Sequence, residues 1–240
     1  MLDIRTFPDR AAAGAAAATE AAHILRETLN TQATARVIFA AAPSQRETLQ
    51  GLVEAEGIDW ARVTAFHMDE YLEVQDKDSF AAFLHTHLWR AVKPGTVHVI
   101  TPGDDPEAEC DRYAALVREA PIDLVCLGIG DNGHLAFNDP PVADFHDPRT
   151  AKVVELDAAC RTQQVGDGCF GTLAEVPTHA VTLTIPALMS ARRLVATVPG
   201  PGKRAALRAA VNGPLTTGCP ASILREHPSC TLYTDQETRP

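Results

Sequence analysis

The sequence predicts an α/β protein with a three-layer, Rossmann-like fold and a mostly parallel central sheet. Short apolar runs rich in β-branched residues alternate along the chain with longer stretches of helical composition, an order typical of parallel α/β folds. One such run, 122–127, leads into a turn with three glycines, which favours a buried strand that ends at a ligand loop. The chain has 240 residues and no internal repeat or linker, so we expect a single domain over 1–240.

Composition and helix-boundary residues predict the individual elements. Asp9 is expected to cap an alanine-rich helix and Ser44 to cap the next one, because short polar side chains accept hydrogen bonds from the first turn. Pro106 suits the first turn of a third helix. Helices are expected over 9–30, 44–56, 79–89, 106–118, 203–211 and 220–224, strands over 36–40, 63–68, 97–100, 122–127, 152–156, 180–185, 193–198 and 230–233, and a long loop over 140–149.

Charge and cysteine content limit the classes of function. A formal net charge of −10 argues against nucleic acid or an anionic membrane as the main partner. No apolar run approaches membrane-spanning length, and the N-terminus lacks the order of a signal peptide. The six cysteines are scattered without a close Cys-x-x-Cys pair, so we expect reduced thiols in a cytoplasmic protein and no metal site.

The glycine-rich turn after 122–127 is the first candidate site. It contains His134 and, five residues later, Asp139. An imidazole held by a carboxylate has a fixed tautomer and can transfer protons. An isolated histidine more often satisfies the backbone of a turn, but the flanking glycines, which let a ligand approach the backbone, favour a functional site here.

Asp69 and Glu70 directly follow the strand predicted over 63–68. Two acids alone are more often a solvated strand end. The functional alternative is a general base at the carboxyl edge of the sheet, where partial burial would raise the pKa of the carboxyl group toward a useful range.

Lys203 follows a Pro-Gly-Pro-Gly turn at the start of a predicted helix. Positive charge beside free backbone N–H groups is what a phosphate requires. A lysine at a helix start is more often simply solvated, although the helix dipole slightly disfavours a cation there, which is a small argument for a role.

These segments together resemble the glucosamine-6-phosphate deaminase (isomerase) family, which shares its fold with the 6-phosphogluconolactonases. Residues 66–71 match that family's Met-Asp-Glu-Tyr segment, and 128–138 match its central signature of glycines, Gly-His and Ala-Phe-Asn. The Ala-Phe-Asn triplet favours the deaminase branch. Lys203 and the run 220–227 match the C-terminal third, so the resemblance covers nearly the whole chain.

The resemblance implies an aldose–ketose isomerisation with deamination, from glucosamine-6-phosphate to fructose-6-phosphate and ammonia, without a cofactor. It assigns the general base to Asp69, the ring-opening histidine to His134, the acid partner of that histidine to Asp139, and the phosphate-binding lysine to Lys203. The implied partner is a small-molecule sugar phosphate. A homo-oligomer is left open, since the wider family contains both monomers and larger assemblies.

Three further residues of these motifs are also expected in the site: Asn132, Gly133 and Glu70. Asn132 precedes Gly133 at a position where the resembled family usually has aspartate. Asparagine can hydrogen-bond to an imidazole but cannot stabilise the imidazolium with charge, and charge-assisted bonds are roughly twice as strong as neutral ones. Asn132 is still expected in the catalytic group, and Gly133 and Glu70 are expected to contact the substrate.

The expected phosphate contacts also depart from the resembled pattern. Ala-Pro-Ser-Gln replaces the family's Gly-Ser-Thr-Pro loop, which leaves Ser44 as the hydroxyl donor. The family's arginine before a Phe-Phe pair is missing near 168–170, and Arg161 upstream is the expected substitute.

Two alternatives to the deaminase remain open. One is a related sugar-phosphate isomerase or a lactone hydrolase, in which His134 activates water and Asp69 exchanges no carbon-bound proton. The other is a catalytically weak sensor that binds a sugar phosphate, an idea motivated by Asn132 and the altered loop. Retention of Asp69, His134 and Lys203 together argues against the sensor, because a binding module has less need of a general base.

Overall fold

The chain forms ten strands and eight α-helices in the computed structural model, which describes residues 2–240, residue 76 by its backbone alone. The strands are β1 (Asp3–Phe7), β2 (Ala35–Phe39), β3 (Val63–His67), β4 (Asp69–Tyr71), β5 (Thr96–His98), β6 (Leu124–Leu127), β7 (Ala151–Glu155), β8 (His179–Leu183), β9 (Arg193–Val198) and β10 (Cys230–Asp235). The helices are α1 (Arg10–Thr31), α2 (Arg46–Glu54), α3 (Phe80–Leu84), α4 (Arg90–Val92), α5 (Pro106–Arg118), α6 (Ala158–Gly166), α7 (Ile185–Met189) and α8 (Arg204–Asn212).

Seven strands form one parallel sheet in the order β1-β10-β9-β6-β2-β3-β5. The chain moves from β2 outward to β3 and, later, from β6 outward in the opposite direction to β9. The boundary between β2 and β6 is therefore the topological switch point, beyond which ligands bind in open α/β sheets. All five residues of β2 are buried, as expected for a strand that is covered on both faces.

A second, three-stranded sheet is antiparallel, in the order β4-β8-β7. β3 ends at His67 and β4 begins at Asp69, so the chain passes from the parallel sheet to the small sheet through Met68. Asp69 lies opposite Thr182 in β8. Its position is therefore fixed by its pairing in the small sheet and by the short connection to β3.

Apolar side chains fill both faces of the parallel sheet. One core cluster includes Ile38, Val125 and Leu194, and the other includes Val37, Leu124 and Val195. Successive residues of each strand point to opposite faces, so each central strand contributes to both clusters. No helix among the described residues is long and apolar enough to span a bilayer.

The predicted fold class and most of the predicted elements are confirmed. Asp9 caps α1 by accepting a hydrogen bond from the backbone N–H of Ala12 at 2.8 Å. The predicted cap at Ser44 is wrong, because a 3₁₀ turn over Pro43–Gln45 precedes α2 and leaves Ser44 inside that turn. The strands expected over 152–156 and 180–185 form, but in the small antiparallel sheet.

The sequence-based expectations omitted β1, β4, α6 and α7, and ended the helix expected over 79–89 before α4. The loop expected over 140–149 has no regular helix or strand. Lys152 ties that loop to β7, with its Nζ 2.6 Å from the carbonyl oxygen of Val142 and 2.9 Å from Oδ2 of Asp147.

A glycine at the entrance to β5 provides a test of the packing. A Cβ at Gly95 would overlap the backbone carbonyl of Ala61, which cannot move aside as a side chain could. We expect Gly95→Ala to destabilise the protein by about 2 kcal/mol or more, the range for overpacking. Thermal unfolding would show a loss of several degrees. Gly103→Ala is the matched control, since nothing lies within 4 Å of its added Cβ; equal melting temperatures for both variants would contradict this packing.

Candidate active site

The loops that follow β2, β3, β6 and β9 enclose a cavity of about 270 Å³. These four strands are neighbours in the parallel sheet, so their carboxyl ends meet at one edge. Four of the residues selected from the sequence line the cavity: Ser44, Asp69, His134 and Lys203. The sheet edge thus brings together a hydroxyl, a carboxylate, an imidazole and an ammonium group.

Asp69 is the most deeply placed acid of the cavity wall, with 7% of its surface exposed. Burial, together with the negative charges of Glu70 and Asp139, raises its pKa well above the usual aspartate value. The carboxyl group therefore holds a proton to higher pH than an exposed aspartate does, and its ionised form is a stronger base.

Glu70, beside it, has a different environment. Its Oε1 accepts hydrogen bonds from the backbone N–H groups of Tyr71 at 3.1 Å and Phe80 at 3.0 Å, and its Oε2 accepts one from Ala81 at 3.0 Å. The side chain thus binds the N-terminus of α3 and does not line the cavity. The structure gives Glu70 a role in holding α3 against β4.

Two glycines shape the turn around His134. A Cβ at Gly130 would overlap the imidazole ring, so only glycine leaves space for the ring at this position. Gly133 has a φ of 85°, in the left-handed region that favours glycine, and an added Cβ would lie 2.7 Å from Sγ of Cys219. Gly133 is not among the residues that line the cavity.

His134, Asn132 and Asp139 form a closed hydrogen-bonded group. Nδ1 of His134 lies 2.9 Å from Oδ1 of Asn132 and 3.0 Å from Oδ1 of Asp139. Both oxygens are acceptors, so Nδ1 carries the hydrogen and Nε2 is left as the proton acceptor of the neutral ring. Nδ2 of Asn132 also donates to Oδ1 of Asp139, at 2.8 Å. The Asp139 carboxylate therefore contacts the imidazole directly, and the Asn132 amide hydrogen-bonds to both groups.

Asp139 stays ionised although it is almost completely buried. Burial acts to raise its pKa, but hydrogen bonds from His134 and Asn132, the charge of His134 and the Cys160 thiol hold the pKa below its usual value. An ionised partner stabilises the imidazolium that forms when His134 takes up a proton. This arrangement fits a histidine that both accepts and returns protons.

The same group includes potential metal-ligand atoms. Atoms of His134, Asp139 and Cys160 lie within 4.8 Å of one another. Nδ1 of His134 and Oδ1 of Asp139 are already bonded to each other, so this grouping as arranged orients the imidazole. Its spacing along the chain matches no metal motif, which is why the sequence did not indicate it.

Lys203 lines the cavity from the turn between β9 and α8. Only 12% of its side chain is exposed, and its Nζ lies 2.7 Å from Oδ1 of Asp131, whose side chain is half exposed. Ser44 lies in the turn before α2, where its Oγ is 3.4 Å from Nε2 of Gln45. Both turns lead into helix N-termini, which favour anions.

The expected substitute arginine does not line the cavity. Arg161 donates through Nη2 to the carbonyl oxygens of Leu173 at 2.8 Å and Val176 at 2.9 Å, and so joins α6 to the following loop. Other polar residues that line the cavity were not singled out from the sequence: Arg10, Asp131, Gln163, Gln164 and Asp167. Arg10 lies on α1, and Gln163 and Gln164 lie on α6; only tertiary packing brings those helices to the sheet edge.

Sequence comparison connects this arrangement to known proteins. The model of a family described as glucosamine-6-phosphate isomerases/6-phosphogluconolactonase matches residues 8–233. A glucosamine-6-phosphate deaminase of Listeria welshimeri is 34% identical over 201 residues, which cover 82% of this chain and 83% of that protein. One of Bacillus cytotoxicus is 36% identical over 183 residues, or 75% of this chain and 68% of that protein.

Solved structures agree in fold. A monomeric glucosamine-6-phosphate deaminase superposes with a TM-score of 0.90 at 26% identity, over 99% of this chain and 98% of that one. A 6-phosphogluconolactonase of Thermotoga maritima superposes with a TM-score of 0.81 at 19% identity, over 98% of this chain and 100% of that one. The second similarity is one of fold alone.

The ionised Asp139 makes a pH-dependent contribution to stability that can be measured. Asp139→Asn is expected to cost about 1–3 kcal/mol near pH 7, because a neutral amide oxygen replaces the charged acceptor of the hydrogen bonds from the imidazole and Asn132. The folded-state pKa of Asp139 is lowered, so its contribution is present above the ordinary aspartate pKa and is lost as the pH falls through the folded-state value. Urea unfolding at pH 7 and pH 3.5 should show a smaller difference from the unmodified protein at the lower pH. A pH-independent difference, or an equal effect of the exposed control Asp111→Asn, would contradict this.

The ion pair of Lys203 and Asp131 makes a second prediction. The Asp131 carboxylate competes with any anion that binds Lys203, and such half-exposed pairs contribute about 0.2–1 kcal/mol. Asp131→Asn should therefore tighten the binding of inorganic phosphate, measured by calorimetry, up to about fivefold. Asp104→Asn, at an exposed position away from the cavity, is the control. Weaker binding in Asp131→Asn would instead mean that Asp131 holds Lys203 in its binding position.

Proposed function

The chain belongs to the family of glucosamine-6-phosphate isomerases and 6-phosphogluconolactonases, and we propose that it converts glucosamine-6-phosphate and water into fructose-6-phosphate and ammonia. The observation that carries the proposal is that Asp69 and His134 line one cavity together with Lys203. The relatives at 34% and 36% identity are glucosamine-6-phosphate deaminases, which supports the choice of substrate.

Ring opening is the proposed task of His134. Opening the sugar requires that a proton leave the hydroxyl group on C1 and that a proton reach the ring oxygen. The unprotonated Nε2 of His134 is the acceptor for the first proton, and the resulting imidazolium is stabilised by the ionised Asp139. The closed hydrogen-bonded group supports this role because it fixes the tautomer before the substrate binds.

Isomerisation is the proposed task of Asp69. In the open-chain sugar, one base takes the proton from C2 and returns it to C1. The amine at C2 loses one proton and the oxygen at C1 gains one, so that the C1 carbonyl becomes a hydroxyl group. The nitrogen at C2 is then part of an imine, and addition of one water releases ammonia and leaves the ketone. A base is most effective when its pKa lies near the working pH. The pKa of Asp69 is raised above the usual aspartate value, which brings it closer to neutral pH.

Lys203 and Ser44 are the proposed contacts of the phosphate group. Their turns approach the cavity from two strands of the sheet, β9 and β2, and both precede helix N-termini. Binding energy from a phosphate remote from C1 and C2 holds the reacting carbons beside the base. Asn132 remains a proposed member of the catalytic group, acting through Asp139 and the imidazole.

A direct assay tests the proposal. Purified protein should release ammonia and fructose-6-phosphate from glucosamine-6-phosphate, and Asp69→Asn should lower kcat at least about a hundredfold, the usual contribution of a general base. In deuterium oxide the product should carry deuterium introduced by exchange at the base. Circular dichroism would check that the variant is folded.

Other outcomes would favour the alternatives. Hydrolysis of 6-phosphogluconolactone that is unaffected by Asp69→Asn would support a lactone hydrolase. Phosphate-ester binding that raises the melting temperature without any turnover would support a sensor. Full deaminase activity in Asp69→Asn would refute the assignment of the base while leaving the substrate in place.

A further inference from the structure

We propose that Arg10 is the second cationic ligand of the substrate's phosphate group, alongside Lys203. The inference rests on the proposed function in naming the anion as a phosphate ester. Arg10 is the first residue of α1 and lines the cavity. Arg161, the arginine expected from the sequence, does not line the cavity and instead hydrogen-bonds to backbone carbonyl groups. Arg10 is therefore the arginine that can reach a ligand in the cavity.

Arg10 lies against the turn that carries Ser44. Its Nη2 donates to the carbonyl oxygen of Pro43 at 2.9 Å, which places the guanidinium one residue from the Ser44 hydroxyl. Pro43, Ser44, Gly128 and Lys203 line the same cavity. An anion bound beside Ser44 therefore shares the cavity with both a guanidinium and an ammonium group.

Glu47 orients the guanidinium and leaves one edge of it available. Nε of Arg10 lies 2.8 Å from Oε1 of Glu47, and Nη2 lies 3.0 Å from Oε2. This two-point pairing fixes the plane of the group. Among the described residues no side-chain or backbone acceptor is bonded to Nη1, so its two N–H donors can bind a phosphate oxygen.

The pairing is built into a close contact between two helices. A Cβ at Gly14, four residues after Arg10, would overlap the Cβ of Glu47, and a Cβ at Gly51 would lie 2.5 Å from that of Ala18. Residues 10, 14 and 18 are on one face of α1, and 47 and 51 are on one face of α2. Glycine on both helices brings Arg10 and Glu47 to a fixed separation, so Arg10 is positioned before any ligand binds.

The charges of the cavity explain why a second cation is needed. A phosphate monoester carries between one and a half and two negative charges near pH 7. Lys203 is already paired with Asp131, and Asp167 and the ionised form of Asp69 add negative charge to the same cavity. One ammonium group that is partly neutralised offers little to a dianion. Arg10 supplies directed donors that Lys203 alone does not.

Calorimetric titration with inorganic phosphate tests Arg10 directly. The variants are Arg10→Ala, Arg10→Lys and the exposed control Arg208→Ala on α8. Arg10→Ala should weaken phosphate binding about tenfold, the lower part of the range for a charged hydrogen bond, because the side chain is 47% exposed. Arg10→Lys should fall between, since a lysine cannot pair with Glu47 at two points and also bind phosphate. Arg208→Ala should bind as the unmodified protein does.

Steady-state kinetics separate this inference from the proposed reaction. With glucosamine-6-phosphate, Arg10→Ala should raise KM about tenfold with little change in kcat, the pattern of lost uniform binding. A protein that binds phosphate through Arg10 but releases no ammonia would overturn the reaction and keep the ligand assignment. Unchanged phosphate binding and unchanged KM in folded Arg10→Ala, while Lys203→Ala weakens both, would overturn the role of Arg10. Absence of measurable phosphate binding by the unmodified protein would overturn it as well.

Discussion

Parallel pairing of β6 with β2 on one side and β9 on the other is the constraint on which the site depends. Val125 of β6 lies opposite both Ile38 and Leu194, so the carboxyl ends of the three strands lie at the same edge of the sheet. Polar loops cannot be buried in the sheet, since their backbone groups would lack partners. They gather instead at its carboxyl edge, where β3 adds Asp69. The apolar core on both faces thus determines which polar residues meet.

Each basic side chain that lines the cavity is paired with an acid. His134 contacts Asp139, Lys203 contacts Asp131, and Arg10 contacts Glu47. In a chain of net charge −10 this pairing keeps the donors in place without an excess of positive charge. The acids differ in position. Asp139 is buried behind its partner, whereas the Asp131 side chain is half exposed. A bound anion therefore competes mainly with Asp131 and leaves the imidazole pair intact.

Local sequence predicted the elements whose signals are local. α5 begins at Pro106 behind a capping Asp105, and β9 has the predicted bounds, because proline, caps and apolar runs act within a few residues. β1 is an edge strand without an apolar pattern, and β4 is three residues paired with β8, so neither has a local signal. Motif residues indicated Asp69, His134 and Lys203. The directions of Arg161 and Arg10 depend on long-range packing, which residue spacing does not reveal.

Asn132 is a consistent partner for the acid found at position 139. Its Oδ1 accepts from the imidazole while its Nδ2 donates to Asp139 at 2.8 Å, and an ionised aspartate at this position could not donate. An ionised carboxylate at 132 would face the Asp139 carboxylate at that same distance, and two like charges so close disfavour joint ionisation. The amide keeps Asp139 ionised, and Asp139 supplies the charge that the imidazolium requires. Asn132 therefore weakens the case for a sensor, because the proton-transfer group is complete with it.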